Sequence, residues 1–365
     1  MDLIKPFRDP ARVDKLLEMI HREATGSYRF MEVCGGHTAA VHKYGIKELF
    51  PGNISLISGP GCPVCVSSGS FIDHAIALSR RTDTITASFG DLLRVPGGSK
   101  KTLYEAKSRG ADIRIVYSIN EALNIAKRNR QKRILFPAIG FETTAPGNAA
   151  GILEAERNEI RNFLMLSAQK IMPPAMKAVA EGETNINGFV CPGHVSAITG
   201  SGIYRFLVDE HGTGCVIAGF EPVDILSSVL MLLRQVNNQR PDVEIQYRRA
   251  VKPEGNVLAK NIMNKVFGLS DEWWRGFGII PGSGLQLKPE YEKFDARRVF
   301  PGYTFTEQEN EGCICGSILR GLNTPADCPL YVSECTPDHP VGACMVSSEG
   351  ACNVYYCTGK RVYSE

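Results

Sequence analysis

The sequence predicts an α/β protein: two related parallel-sheet α/β domains facing each other across a cleft, with a small cysteine-rich domain added. Three observations carry this prediction. Short continuous apolar stretches alternate with helical ones between residues 54 and 166, the rhythm of parallel strands covered on both faces. A second round then repeats two phrases of the first. Gly59-Pro-Gly-Cys-Pro63 is echoed by Cys191-Pro-Gly-His194, and Ala138-Ile-Gly-Phe-Glu142 by Ile217-Ala-Gly-Phe-Glu221, as an old duplication would leave them. Finally, seven of the 12 cysteines fall between Cys313 and Cys357, among Asp327, Pro329, Pro337, Asp338, Pro340, Gly342 and Gly350. Those residues punctuate loops, so something other than burial must tie this segment together.

Bulk properties narrow the function classes. The chain has 365 residues, 43% hydrophobic and 22% charged, with a formal net charge of +2. That length accommodates two or three domains. The near-neutral charge gives no reason to expect nucleic acid or a membrane surface as the main partner. No apolar run approaches the roughly 18 residues of a membrane span; Ile225-Leu-Ser-Ser-Val-Leu-Met-Leu-Leu233 ends at Arg234 and reads as a buried helix. The first 20 residues show neither an apolar core nor a small-residue cleavage site, so no secretory signal is visible and a cytoplasmic location is expected. In that compartment clustered cysteines more often bind metal than form disulfides.

The chain opens with a helix: Asp9 is placed as N-cap, Pro10 at the first helical position, and Val13, Leu16, Leu17 and Ile20 form one stripe. A strand, Arg29 to Val33, runs into Cys34-Gly-Gly-His-Thr38, where paired glycines allow close approach to a ligand. Cys34 and His37 fall on the first turn of a helix, whose N-terminus lowers a thiol pKa. The bland alternative is a buried small hydrophobe with a capping histidine. Strand Ile54 to Ile57 precedes Cys62-Pro-Val-Cys65 and a helix over 67–80, a thioredoxin-like arrangement. Its competitor, half of a zinc site, needs a second close pair, and none occurs before residue 313.

Strands over 84–89, 112–117, 133–136 and 162–166 then alternate with helices over 101–109, 120–129 and 148–157. Gly97-Gly-Ser-Lys-Lys-Thr102 lacks phosphate-loop spacing and reads as a surface turn. Strands at 188–190 and 215–222 begin the second round, which residues 241–300 complete. Ligands of such sheets bind beyond the carboxyl ends of the strands, where Cys34, Cys62, Cys65 and Glu142 would stand. Glu142 and Glu221 either cap the following helices or point into the cleft as acid–base groups. His194 carries the same ambiguity, and Cys215 reads as core.

In the tail, Cys313-Ile-Cys315 is the one tight pair, while Cys328, Cys335, Cys344 and Cys352 are separated by six, eight and seven residues. This matches neither the close pairs of structural zinc nor a bacterial ferredoxin run. Spacing alone leaves zinc and an iron–sulfur cube both open.

The motifs together resemble the HypD family of hydrogenase maturation factors over essentially the whole chain. They are Cys34-Gly-Gly-His-Thr38, Gly59-Pro-Gly-Cys-Pro-Val-Cys65, Gly140-Phe-Glu-Thr-Thr-Ala-Pro146, Cys191-Pro-Gly-His-Val195, Asp327-Cys-Pro-Leu330, Cys335-Thr-Pro337 and Cys344-Met-Val-Ser-Ser-Glu-Gly-Ala-Cys352. The resemblance implies a scaffold on which the Fe(CN)2CO unit of [NiFe]-hydrogenases is assembled with the small chaperone HypC, cyanide being delivered by HypE, which HypF supplies with carbamoyl groups. It implies that Cys34 holds Fe(II) jointly with a HypC cysteine, with His37 as its neighbour in the site; Glu142 stands as a further catalytic candidate from its place at a strand end. It implies a redox-active pair at Cys62 and Cys65, and a [4Fe–4S] cluster on Cys328, Cys335, Cys344 and Cys352. Cys313, Cys315 and Cys357 are then surplus, although Cys315-Gly316 fits the family pattern. The chemistry agrees: strong-field ligands need low-spin Fe(II), which a soft thiolate can hold. Releasing cyanide from a thiocyanate-like donor takes two electrons, the number a dithiol yields on closing.

The expected division is residues 52–165 as the first α/β domain, 24–51 with 166–300 as the second, and 301–365 with helix 1–23 as the cysteine-rich domain. Two rivals stand against the scaffold reading. A free-standing Fe–S oxidoreductase would use the Cys62/Cys65 dithiol on a small molecule without HypC, and a structural zinc protein would be colourless.

Overall fold

The computed structural model describes residues 4–308 and 311–362. Its first helix, Pro10–Glu23, starts where the sequence places it: Asp9 accepts the Ala11 N–H at 3.1 Å and Pro10 occupies the first turn, where its missing N–H costs nothing. Twelve strands follow: β1 (Tyr28–Glu32), β2 (Ile54–Ser58), β3 (Thr84–Ser88), β4 (Ile113–Ile115), β5 (Arg133–Ala138), β6 (Phe163–Ser167), β7 (Gln169–Lys170), β8 (Gly188–Pro192), β9 (Gly214–Ala218), β10 (Val243–Ile245), β11 (Phe267–Trp274) and β12 (Gly278–Leu287).

Two parallel sheets form as predicted. The first has the order β10-β9-β8-β1-β2 and the second β4-β3-β5-β6. In the five-stranded sheet, Phe30, Leu56, Val190 and Val216 pack against Ile225, Val229 and Leu233 of helix Pro222–Asn237 and against Ile20 of the first helix. Each such side chain, fully buried, stabilises the fold by roughly 1.5–3 kcal/mol. In the four-stranded sheet, Ile134, Phe136 and Phe163 serve the same purpose beneath helices Ile119–Arg128 and Ala145–Arg157.

Three features depart from the sequence-based outline. β2 pairs in register with β1, Tyr28 opposite Ile54, so residues 54–58 belong to the five-stranded sheet rather than with 84–167. The helix expected over 67–80 is present as Gly69–Ser79, and a separate short helix, Pro63–Val66, precedes it. The Ser68 hydroxyl accepts the Phe71 N–H at 3.1 Å and starts the longer one. Residues 267–287 form an antiparallel hairpin, with β12 pairing also to β7. Its Phe267, Leu285 and Leu287 close the core of the four-stranded sheet.

The motifs of the two parallel sheets leave the carboxyl ends of strands: Cys34 after β1, Cys62 after β2, Glu142 after β5, His194 after β8 and Glu221 after β9. Among the described residues, no helix is long and apolar enough to cross a membrane.

Candidate functional site

Cys34 is the N-cap of helix Gly35–Lys43, in extended backbone, and sits on a ledge made by glycines. A Cβ on Gly61 would lie 2.3 Å from the Cys34 Cα, and one on Gly35 would lie 2.5 Å from the Glu349 Cβ. A Cβ on Gly36 would meet the Phe220 ring at 3.1 Å and the Cys34 Sγ at 3.6 Å. The Gly35 N–H donates to the Gly61 carbonyl at 3.1 Å, which locks the two motif loops together. Glycine is required at 35 and 61 because a side chain there would collide with Glu349 and with the Cys34 backbone.

The thiol is half-buried and its pKa is pushed up to about 12. Burial is the largest cause, the Glu349 and Glu32 carboxylates add to it, and the Gly36 and His37 N–H groups oppose it. The helix N-terminus therefore does not decide this thiol's protonation, contrary to the sequence-based expectation; burial among carboxylates outweighs it. Cys34 therefore keeps its proton near neutral pH. Glu32 itself is buried, accepts from Ser58 Oγ at 3.0 Å and titrates at about 7 because of burial.

His37 is fully buried. Its Nε2 stands 3.2 Å and 3.1 Å from the Ala218 and Gly219 carbonyls, so that nitrogen carries the proton and donates. Burial pushes its pKa down to about 4, leaving a neutral ring that ties helix Gly35–Lys43 to the end of β9. His37 stacks on Phe220 at 4.6 Å, and His194 stacks on the same ring at 4.1 Å.

Cys62 and Cys65 form a disulfide. Cys62 caps helix Pro63–Val66, and its sulfur accepts the Cys65 N–H at 3.1 Å. Arg275 grips this turn: its N–H donates to the Val66 carbonyl, Nε to Cys65 at 3.1 Å and Nη2 to Ser67 at 3.0 Å. The short helix Ala343–Val346 of the tail packs against the same turn.

The tail is loops joined by three short helical turns and a final helix, Ala351–Val362. Six cysteines gather in it. Cys315 Sγ lies 2.6 Å from Cys344 Sγ, Cys313 hydrogen-bonds Cys315, and Cys344 hydrogen-bonds Cys352. Cys335 accepts the Val341 N–H at 3.4 Å and feels the charges of Cys352 and Cys328. Thiol hydrogen bonds from Cys313 and Cys344 hold Cys315 well below its ordinary value, with Arg275 adding to the effect. Cys357 is exposed and bonds Asn353 instead.

The structure thus draws in Cys313 and Cys315, which the sequence analysis set aside, and leaves Cys357 out. Among the described residues, no three His, Cys, Asp or Glu side chains converge as one metal ion would need; the sulfurs form a run of neighbours. Such a run fits a cube, whose corners take ligands from several directions. Soft sulfur donors also fit an iron–sulfur group.

Glu142 lies elsewhere. Its Oε1 accepts the Met172 N–H at 3.0 Å and so caps helix Met172–Ala180 rather than the helix that follows it. Its Oε2 is buried without a partner, and burial raises its pKa to about 7. It lines a cavity of about 420 Å³ with Thr199, Phe267 and Leu269, and none of the site cysteines lines that cavity. Glu221 caps its own helix in a box with Asp224 and pairs with Arg8, whose Nη2 donates at 2.9 Å. That hydrogen bond holds its carboxyl below the usual range. Cys215 is core, as expected. Sequence reasoning missed Arg275, Glu349 and Phe220. Of these, only Phe220 carried a signal, the repeated Gly-Phe-Glu.

The family profile described as "HypD: Hydrogenase formation hypA family" matches residues 11–359. Hydrogenase maturation factor HypD2 of Bradyrhizobium diazoefficiens is 46% identical over 364 residues, covering 97% of this chain and 96% of its own. Hydrogenase maturation factor HypD of Azotobacter vinelandii is 43% identical, covering 99% and 98%. Hydrogenase maturation factor HypD of Escherichia coli is 40% identical, covering 98% of each chain.

Proposed function

The chain belongs to the HypD family of hydrogenase maturation factors, and from that premise we propose that it is the scaffold on which an Fe(CN)2CO unit is built. One observation carries this reading. Cys34 is held directly against the loop that bears the Cys62–Cys65 pair, its backbone packed on Gly61. The incoming iron is the cargo. A single thiolate is too few ligands to hold it, so a cysteine of HypC completes the grip while HypE delivers cyanide.

The dithiol form of Cys62 and Cys65 supplies the two electrons that release cyanide from a thiocyanate-like carrier. Both thiols give up their protons, the S–S bond forms, and the carrier's sulfur leaves as thiolate. Arg275 holds the backbone of that turn fixed through the change. Gly35 and Gly61 let Glu349 and the Cys34 backbone approach closely, which fixes the thiol between the two motif loops.

A [4Fe–4S] cluster bound in the tail supplies single electrons. Cys328, Cys335 and Cys352 are proposed ligands, with Cys344 as the fourth. The 2.6 Å contact between Cys315 and Cys344 motivates a second arrangement, in which those two sulfurs pair with each other. In it, Cys313 takes the fourth corner and Cys315 with Cys344 forms a further dithiol beside the first. Single alanine variants separate the two. Cys344→Ala strips the brown absorbance in the first arrangement and Cys313→Ala in the second, while Cys357→Ala leaves it intact in both.

The scaffold reading is tested by metal and infrared analysis of protein from cells with the full maturation set. The protein alone should carry cluster iron only. Its complex with HypC should carry one further iron with bands of bound cyanide and CO. Equal iron in both, with no such bands, contradicts the reading and favours a free-standing oxidoreductase.

A further inference from the structure

We propose that His194 is a positioning residue of this site: stacked on Phe220, it donates a hydrogen bond to a cyanide of the iron held at Cys34. The inference rests on the scaffold reading above and adds to it a group that recognises the diatomic ligands.

Phe220 carries an imidazole on each face. His37 lies 4.6 Å from it at an interplanar angle of 24°, and His194 lies 4.1 Å from it at 23°. Two rings so close and so nearly parallel to a third cannot share a face, so Phe220 is the middle of a three-ring stack. The two imidazoles differ in what they have left to give. His37 is fully buried, and its proton-bearing nitrogen is spent on two carbonyls. His194 is exposed, and among the described residues its ring nitrogens have no hydrogen-bond partner. Burial lowers its pKa, so the ring is neutral near pH 7 and offers one N–H.

The stack stands beside the sulfur. A Cβ at Gly36 would begin 3.1 Å from the Phe220 ring and 3.6 Å from the Cys34 Sγ, so the ring edge and the sulfur flank one backbone position. An iron on that sulfur has its ligands beside that ring. The nitrogen of an iron-bound cyanide points outward and carries negative charge, which makes it a strong hydrogen-bond acceptor. A ring already held by stacking forms that bond with little loss of side-chain freedom. Carbon monoxide is a far weaker acceptor, so one donor of this kind favours cyanide at the position it faces.

The test uses the full chain in its complex with the small chaperone, purified from cells with the complete maturation set. His194→Phe keeps an aromatic ring on Phe220 and removes the donor, while His194→Gln keeps a donor. In His194→Phe, one cyanide band should move to lower wavenumber, because a hydrogen bond at the nitrogen lone pair stiffens the C–N bond. The iron unit should be lost to a chelator about tenfold faster, the loss expected of one charge-assisted hydrogen bond. In His194→Gln both effects should be smaller, and the brown absorbance and circular dichroism should match wild type in both variants. Unchanged bands and loss rate in His194→Phe overturn the inference alone. Equal and complete loss of the bands in both variants also overturns it, since the imidazole would then be an iron ligand. A wild-type complex without cyanide bands overturns the scaffold reading, and the inference falls with it.

Discussion

Gly140-Phe-Glu142 and Gly219-Phe-Glu221 are the same tripeptide at the same place, the carboxyl end of a parallel strand, yet their surroundings give them opposite chemistry. Phe141 is buried and stacks on Trp274 at 5.9 Å, under the β11–β12 hairpin. Its Glu142 is buried, half-satisfied and titrates at about 7. Phe220 is half-buried between two imidazoles, and its Glu221 is ion-paired with Arg8 and held below the usual range. The tripeptide sets a turn. What packs over the turn decides whether it becomes core or site. The hairpin covers the first, whereas the glycine ledge of Cys34 leaves the second open.

The widest gap between the two turns should appear in stability. Phe141→Ala removes a buried ring and should cost about 3–5 kcal/mol. Phe220→Ala, at a half-buried position, should cost about 1–2 kcal/mol by the same scale while losing the iron unit. Denaturant unfolding of the two variants checks this, and the comparison breaks if Phe220→Ala is the more destabilising.

The next effect is one of pH. The Glu142 carboxyl is raised from 4.5 to about 7 by burial, so the folded state holds this proton more tightly than the unfolded chain does. The associated destabilisation is absent below about pH 4.5, grows as pH rises through 7 and is full above it. Glu142→Gln should therefore stabilise by up to about 3 kcal/mol at pH 8, and the gain should vanish at pH 4. A gain that persists at pH 4 shows that charge is not its cause.

Glu221→Gln should behave with the opposite sign and a smaller size. Its pKa is lowered, chiefly by the Arg8 hydrogen bond. Its contribution is present above the ordinary carboxylate range and lost as pH falls. With Arg8 half-exposed, the loss should be about 0.5–1 kcal/mol at neutral pH and shrink in salt. A salt-independent loss would place the effect in the capping geometry instead.

Much of the fold was legible because its signals are local. Asp9-Pro10 announces a helix start, and the continuous apolar strands announce parallel sheets. β2 could not be assigned to its sheet from sequence, since register with β1 depends on partners far along the chain. The β11–β12 hairpin was missed because its value lies in covering the other sheet's core. Cys34, Cys62 and Cys65 were legible as chemistry, but the protonation of Cys34 was not. The helix N-terminus is written in the sequence, whereas Glu349 and the burial that oppose it come from the tail folding back. Similarly, the resemblance left Cys313 and Cys315 surplus, and only the folded tail brings Cys315 against Cys344.

The central claim is that the Cys34 sulfur anchors the iron. Infrared spectroscopy of the Cys34→Ala protein in its complex with HypC tests it most directly. The account predicts that the cyanide and CO bands vanish while the brown absorbance of the tail is unchanged. Bands that survive in Cys34→Ala would contradict it.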